Sequence, residues 1–335
     1  MTSATQRLYE DFPFPSPGAD RPLISVVADE LPLVVEGGLR DGWRVLDAGC
    51  GTGHTLVGLA KAHPKVRFVG LEPSGASRAI ARRLADDHGV TNLDIVDGAM
   101  PHTELDQRFD LVYSYGVVHH LPDPRAGLEW LCRHLAEDGL LHLWLYNDVG
   151  EARRMRDREL VQLLSPADEG AALGLRVVRA LGLSLSLDAY GMPGAWAGAA
   201  LDPEEQDVFD ADAYLNPVVH TLRFGDLPEL LDGLGMEWVA ADRVYGPRGA
   251  PYLDLDGTND IPAGRVETVR PEELFDDPEL RRRISGLPIA ERARAVELSL
   301  RPTGFRVLAG RGNSWDKPTR RVRGNLLTRF PRPPR

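Results

Sequence analysis

The stretch VLDAGCGTGHTL, residues 45–56, sets glycines at 49, 51 and 53 behind an apolar run that carries Asp47. Glycine tolerates positive φ and leaves no Cβ in the way, so such a loop lets a small ligand approach the backbone closely. A dinucleotide fingerprint spaces its glycines G-x-G-x-x-G and seats a pyrophosphate on the following helix. Here the residue that the fingerprint needs as glycine is His54. A carboxylate at Asp47 would also repel a pyrophosphate, and it suits a cationic ligand end such as an amino group or a sulfonium. Glu72 closes the next apolar run, about 20 residues on, where an acid accepts hydrogen bonds from both hydroxyls of a ribose diol. In VDGAM, residues 96–100, the backbone of Gly98 to Met100 is placed to meet an adenine edge.

The elements that position these residues alternate. The runs WRVLDAG, VRFVGLE, LDIVDG, FDLVYSYG and LLHLWLYN are short and rich in Val, Leu and aromatics. Between them HTLVGLAKAH, SGASRAIARRLADDHG and PRAGLEWLCRHLAEDG carry apolar residues near helical spacing. This rhythm predicts an α/β, doubly wound, Rossmann-like sheet with buried parallel strands. The rhythm breaks after residue 148. EARRMRDRELVQLL and AALGLRVVRALGLSLSL read as helices, and residues 191–218 read as an irregular acidic loop. DLPELLDGLG then feeds a strand, MEWVAADRVYG, and AERARAVELSL feeds a last one, GFRVLAG. The expected organisation is a lid segment at 1–40, a core at 41–147 and a helical or irregular cap at 148–222. The core resumes at 223–245 with its sixth strand, a second insertion fills 246–300, and a seventh strand at 301–310 precedes a basic tail at 311–335. Both insertions would stand over the end of the sheet where open α/β folds bind ligands.

Residues 41–147 resemble the class I S-adenosylmethionine-dependent methyltransferases. The matching segments are VLDAGCGTG, GLEPS, VDGAM, FDLVYSYGVVHHLPDP and LAEDGLLHLWLYN. YEDFPFP, residues 9–15, and HTLRFGDLPELLDGLG, residues 220–235, resemble segments of bacterial members with an N-terminal lid and a helical cap. The resemblance implies a seven-stranded sheet and S-adenosylmethionine as methyl donor, with S-adenosylhomocysteine as product. It places Asp47, Gly49, Cys50, Gly51 and Gly53 along the methionine part, Glu72 and Pro73 at the ribose, and Gly98, Ala99 and Met100 at the adenine. Ser114 and Tyr115 join them from the fourth strand. Many members carry an aspartate after the third-strand glycine. This chain has Ala99 there, so the adenine contact falls to backbone or to Asp97.

Methyl transfer to a protonated nucleophile needs alignment and a base. The implied catalytic candidates are His119, His120, Tyr115 and Tyr146; neutral histidine is a base suited to pH 7. Neighbouring residues point apart, so at most one of the two histidines faces the reacting centre. Tyr9, Phe12 and Phe14 are expected to fold over the ligand. No residue is assigned to a metal.

The wider composition narrows the partners. A net charge of −11 argues against a nucleic acid, although the last 25 residues are basic and read as a solvated, weakly ordered tail. Two cysteines are too few for a disulfide framework, and no apolar run is long enough for a membrane span. The expectation is a cytoplasmic bacterial enzyme of specialised metabolism, monomeric or oligomeric, that methylates O or N of a small molecule or peptide. The rivals are an enzyme acting on protein or RNA and a non-catalytic binder of S-adenosylmethionine. The glycine spacing and Asp47 oppose a nicotinamide oxidoreductase.

Overall fold

The computed structural model describes residues 4–24, 26–166, 169–187, 196, 199–246, 249–257, 266–311, 316–317, 320–322 and 325–330. Parts of the expected cap, second insertion and basic tail therefore lie outside the described residues.

Two helices, α1 (Ala4–Asp11) and α2 (Val26–Val34), precede the alternating unit. That unit runs β1 (Arg44–Ala48), α3 (His54–Ala62), β2 (Arg67–Glu72), α4 (Gly75–Asp87), β3 (Leu93–Asp97), β4 (Phe109–Tyr115), α5 (Pro124–Arg133) and β5 (Leu135–Tyr146). Then come α6 (Asp148–Leu164), α7 (Ala171–Ala180), α8 (Pro203–Asp210) with a π-helical turn at Ala211–Leu215, and α9 (Asp226–Leu231). The chain continues through β6 (Trp238–Tyr245), β7 (Tyr252–Leu253), β8 (Thr268–Val269), α10 (Pro278–Ser285), α11 (Ile289–Leu300) and β9 (Gly304–Gly310). A small ribbon of β10 (Asp316–Lys317) and β11 (Arg320–Arg321) and a strand β12 (Asn325–Arg329) follow.

The sheet order is β3-β2-β1-β4-β5-β9-β6-β7-β8, and β12 also pairs with β6. Strands β1 to β5 run parallel, while β9 is antiparallel to both β5 and β6. The seven strands expected from sequence are thus β1 to β6 with β9. Three short additions enlarge the sheet to ten strands. Residues 325–329, expected in a weakly ordered tail, are instead the strand β12. The reason is local: the outer edge of β6 offers unpaired amides and carbonyls, and Asn325–Arg329 satisfies those of Trp238–Ala241. The acidic stretch expected to be irregular holds α8, opened by an Asp202–Glu205 capping box.

Side chains alternate along each strand and build two cores. On one face Leu46, Val112, Leu141 and Val307 pack with Leu128 and Leu131 of α5, Leu227 of α9 and Val296 of α11. On the other, Val45, Leu111, Leu140 and Leu308 meet Leu56 and Leu59 of α3 and Leu31 and Val34 of α2. Each such buried side chain contributes about 1.5–3 kcal/mol of transfer free energy. The second face is not filled to the ends of the strands. Tyr113, Tyr115, His142, Trp144, Tyr146 and Arg306 share that face by register, and there the apolar core gives way to polar and aromatic groups. The strand order reverses between β1 and β4, which opens a crevice at their carboxyl ends.

Candidate active site

A cavity of about 920 Å³ occupies this crevice and runs along the second face of the sheet. Its first wall is the loop after β1. Gly49 has φ +91° and Gly51 φ +52°. A Cβ on Gly49 would stand 2.5 Å from Val117, and one on Gly51 would stand 2.4 Å from the carbonyl oxygen of Phe14. The glycines therefore admit the chain's own neighbours as much as a ligand. Gly53 packs on Ala81 and does not border the cavity, while Gly49, Cys50 and Gly51 do.

Two buried acids face this end. Glu72 accepts hydrogen bonds from the amides of Gly51 (2.9 Å, Oε2) and Ser74 (2.9 Å, Oε1). Each oxygen keeps a second lone pair for a ligand. Burial pushes its carboxyl up to about 7 against those amides. Asp47 is also pushed up to about 7, by burial and by the charge of Glu72, with the Tyr113 hydroxyl opposing. Burial outweighs what opposes it at both acids: the two amides and the Arg78 guanidinium at Glu72, and the Tyr113 hydroxyl at Asp47. That environment fits a ligand that brings a cationic end to Asp47 and a diol to Glu72. Pro73, Gly98, Ala99 and Met100 line the same end.

Two residues named from the sequence, Asp97 as an alternative to backbone and Ser114, do not line the cavity. Asp97 is mostly exposed and pairs with Arg78 at 2.8 Å, outside the cavity wall. Ser114 is buried and donates to the Ala48 carbonyl (2.8 Å), tying β4 to β1 behind the wall rather than facing a ligand.

The N-terminal segment closes the cavity. Glu10 accepts from the Ser74 hydroxyl (2.5 Å) and from the amides of Gly75 and Ala76, so it neutralises the positive end of α4. This docks α1 and brings Tyr9 to the cavity. Tyr9 donates to Asp212 (2.6 Å) on the π-helical turn and accepts from Asn216 (3.0 Å). Phe14 also lines the cavity and packs edge-on to Phe209 of α8, 5.2 Å between centroids; Phe12 is not part of the wall.

The paired histidines separate as their adjacency requires. His119 is buried behind the wall, stacked on Tyr146 at 3.9 Å, with Nδ1 accepting from the Tyr146 amide (3.3 Å). Burial and the neighbouring His120 hold its pKa well below the ordinary value. His119 thus leaves the set of candidate bases. His120 borders the cavity. Its Nδ1–H donates to the Val218 carbonyl (2.9 Å), which leaves Nε2 with a lone pair 3.8 Å from Asp212. Burial lowers its pKa, opposed by the charge of Asp212, so it is neutral near pH 7. Tyr146 donates to the other Asp212 oxygen (3.4 Å), with the Arg154 guanidinium 4.3 Å over its ring.

Tyr115 also lines the cavity, its hydroxyl 2.7 Å from His142 Nδ1, and His142 Nε2 is 3.6 Å from Asp242. Sequence reading missed Asp212, His142, Asp242, Glu30, Arg243 and Arg306. Asp212 comes from a loop-like stretch without a motif. Asp242, Arg243 and Arg306 did leave a signal, since charges inside otherwise apolar strands are rarely buried without a partner.

The glycine loop, the two acids and the sheet order define a class I S-adenosylmethionine-dependent methyltransferase domain. Residues 46–141 match the model of a methyltransferase domain family. The chain is 28% identical to an uncharacterized protein from Synechococcus sp., over 61% of this chain and 51% of that one. It is 36% identical to trans-aconitate 2-methyltransferase of Deinococcus radiodurans, over 29% of this chain and 36% of that one. With the probable (S)-tetrahydroprotoberberine N-methyltransferase 2 of Papaver bracteatum it shares 29% identity, over 31% of this chain and 29% of that one. The chain thus spans about half the length of the first relative and a third or so of the other two. The fold is also that of PKMT2 from Rickettsia typhi, with a TM-score of 0.56 and 15% identity over 90% of this chain and 54% of that one.

Proposed function

We propose that the protein methylates an O or N atom of a small molecule or peptide, in the bacterial cytoplasm and in specialised metabolism. The observation that carries the reading is the continuity of the cavity of about 920 Å³. It runs from Asp47 and Glu72 past His120 to the far wall of β6 and β9, under α1 and the π-helical turn. A pocket of this size, with aromatic walls and its charged groups gathered at a few places, suits a small acceptor beside the donor. A peptide would have to enter by its end.

S-adenosylmethionine, when bound, supplies a methyl group already activated for displacement. Asp47, Cys50 and the loop glycines would hold its methionine end, Glu72 and Pro73 its ribose, and Gly98 to Met100 its adenine. The chain's own task is then to align the acceptor and take its proton. His120 Nε2 takes it, and Asp212 stabilises the resulting imidazolium. Tyr9 and Tyr146 fix Asp212 by donating one hydroxyl to each of its oxygens. Replacing His120 by Gln should lower kcat about 10²- to 10⁴-fold while leaving S-adenosylhomocysteine binding unchanged. Unchanged kcat would pass the role to Tyr115 with His142.

The reaction class is tested with methyl-labelled S-adenosylmethionine, the purified protein and a cell extract split by molecular size. Label in the small fraction is expected. Label in protein or RNA would overturn the acceptor assignment, and binding without any label would favour a non-catalytic role.

A further inference from the structure

The far wall of the cavity has a charge arrangement that methyl transfer does not explain. Arg243 on β6 and Arg306 on β9 are direct cross-strand partners, and both line the cavity. Like charges placed directly opposite on neighbouring strands repel, and burial strengthens the repulsion. Arg306 has a carboxylate within the sheet, Asp242, at 3.1 Å. The ion pair of Arg243 is with Glu30 of α2, which comes from outside the sheet. Glu30 bridges the two guanidinia, one oxygen to Arg243 and the other to Arg306 (2.6 Å).

Glu30 does not set the geometry of this clamp. The Arg243 guanidinium lies over the rings of Tyr245 (5.1 Å) and Tyr252 (4.7 Å), and its Nε donates to the Ala250 carbonyl (2.6 Å). Arg306 is fixed by Asp242 and by the Tyr252 hydroxyl (3.1 Å). A β-bulge between Ala241 and Arg243 turns Asp242 and Arg243 into these positions. With Glu30 withdrawn, two preoriented guanidinia and one carboxylate remain, a net charge of +1 facing a cavity whose other end holds two acids. Planar guanidinia so held are matched to a planar carboxylate.

We propose that the methyl acceptor carries a carboxylate that binds across Arg243 and Arg306 in the place of Glu30. This rests on the methyltransferase reading and names its substrate class. Glu30 then acts as an internal placeholder: it satisfies the clamp when no acceptor is present and swings aside when one enters.

The test uses benzoate as probe, benzamide as its neutral isostere and inorganic phosphate as a free tetrahedral anion. All are titrated into the full chain saturated with S-adenosylhomocysteine. Glu30→Gln removes the competing charge and should bind benzoate on the order of tenfold more tightly than the wild type, with benzamide unchanged. The double variant Glu30→Gln/Arg243→Gln, which leaves no unpaired charge, should lose that gain. The proposal is overturned if benzoate affinity does not rise in Glu30→Gln, if the gain survives in the double variant, or if benzamide gains equally. A larger gain for phosphate than for benzoate would overturn the carboxylate in favour of a phosphate-bearing acceptor. Failure of S-adenosylhomocysteine to bind any of these proteins would instead sink the methyltransferase reading.

Discussion

Asp47 and Glu72 make the donor end of the site sensitive to pH, and the sign follows from their position. Both carboxyls are pushed up to about 7 by burial, from ordinary values near 4. Without ligand, their protonated forms favour the folded state. That contribution is fully present below about pH 4 and is lost as pH rises through about 7. A cationic donor reverses the preference, because it binds best to ionised Asp47. Affinity for S-adenosylmethionine should therefore climb as pH rises to about 7 and level off above it. Asp47→Asn should flatten the climb, and calorimetry in buffers of different ionisation enthalpy should detect proton release on binding. A wild-type affinity independent of pH would contradict the placement of the cation. These two acids were legible in the sequence because each directly follows or ends an apolar run at a fixed distance from the glycines. His120 was legible only as one of a pair, since its tautomer depends on Val218, nearly a hundred positions away. Asp212 was not legible at all, because its neighbours Tyr9 and Tyr146 come from segments that sequence does not align.

At the scale of elements, the open question is what keeps α1 over the cavity. α1 buries no residue completely, so its own packing does little to hold it. It is held by Glu10 at the N-terminus of α4 and by Tyr9 at the π-helical turn. Tyr9→Phe removes the hydrogen bond to the Asp212 carboxylate, which stabilises docking by about 1.5–3 kcal/mol, together with the one accepted from Asn216. The expected outcome is faster proteolysis ahead of residue 20 and a raised KM for S-adenosylmethionine, with the melting temperature nearly unchanged. Equal proteolysis rates would show that the remaining contacts of α1 suffice, those of Glu10 and the Gln6 hydrogen bond to the Pro73 carbonyl (2.8 Å) among them. The strands and helices of the alternating unit were readable because buried parallel strands are continuous apolar runs. α8 was not read, although Asp202, Pro203 and Glu205 form a helix-start signature, because the surrounding acidic and glycine-rich stretch reads as a loop.

For the molecule as a whole, the C-terminal segment joins the fold to the site. β12 and β7 divide the outer edge of β6 between them, and Asn325 stitches the two together. Its side chain donates to the carbonyls of Ala241 (3.2 Å) and Leu253 (2.8 Å) and accepts from the Leu255 amide (2.5 Å). Its burial leaves no water to replace these bonds. Asn325→Ala should cost on the order of 2–3 kcal/mol and lower the melting temperature by several degrees. Ending the chain at Gly310 should do more: it strips the outer edge of β6, the strand that carries Arg243, and an open strand edge promotes association. Light scattering during thermal melts separates the two outcomes. This bears on the basic segment as a guide for a macromolecular acceptor, because loss of activity on truncation is expected from the uncovered edge alone. Asn325→Ala keeps every basic residue. If it impairs turnover in proportion to its loss of stability, and S-adenosylhomocysteine restores both, the segment serves the fold. Truncated protein that stays monomeric and keeps its melting temperature while losing only turnover would assign the segment to the acceptor instead.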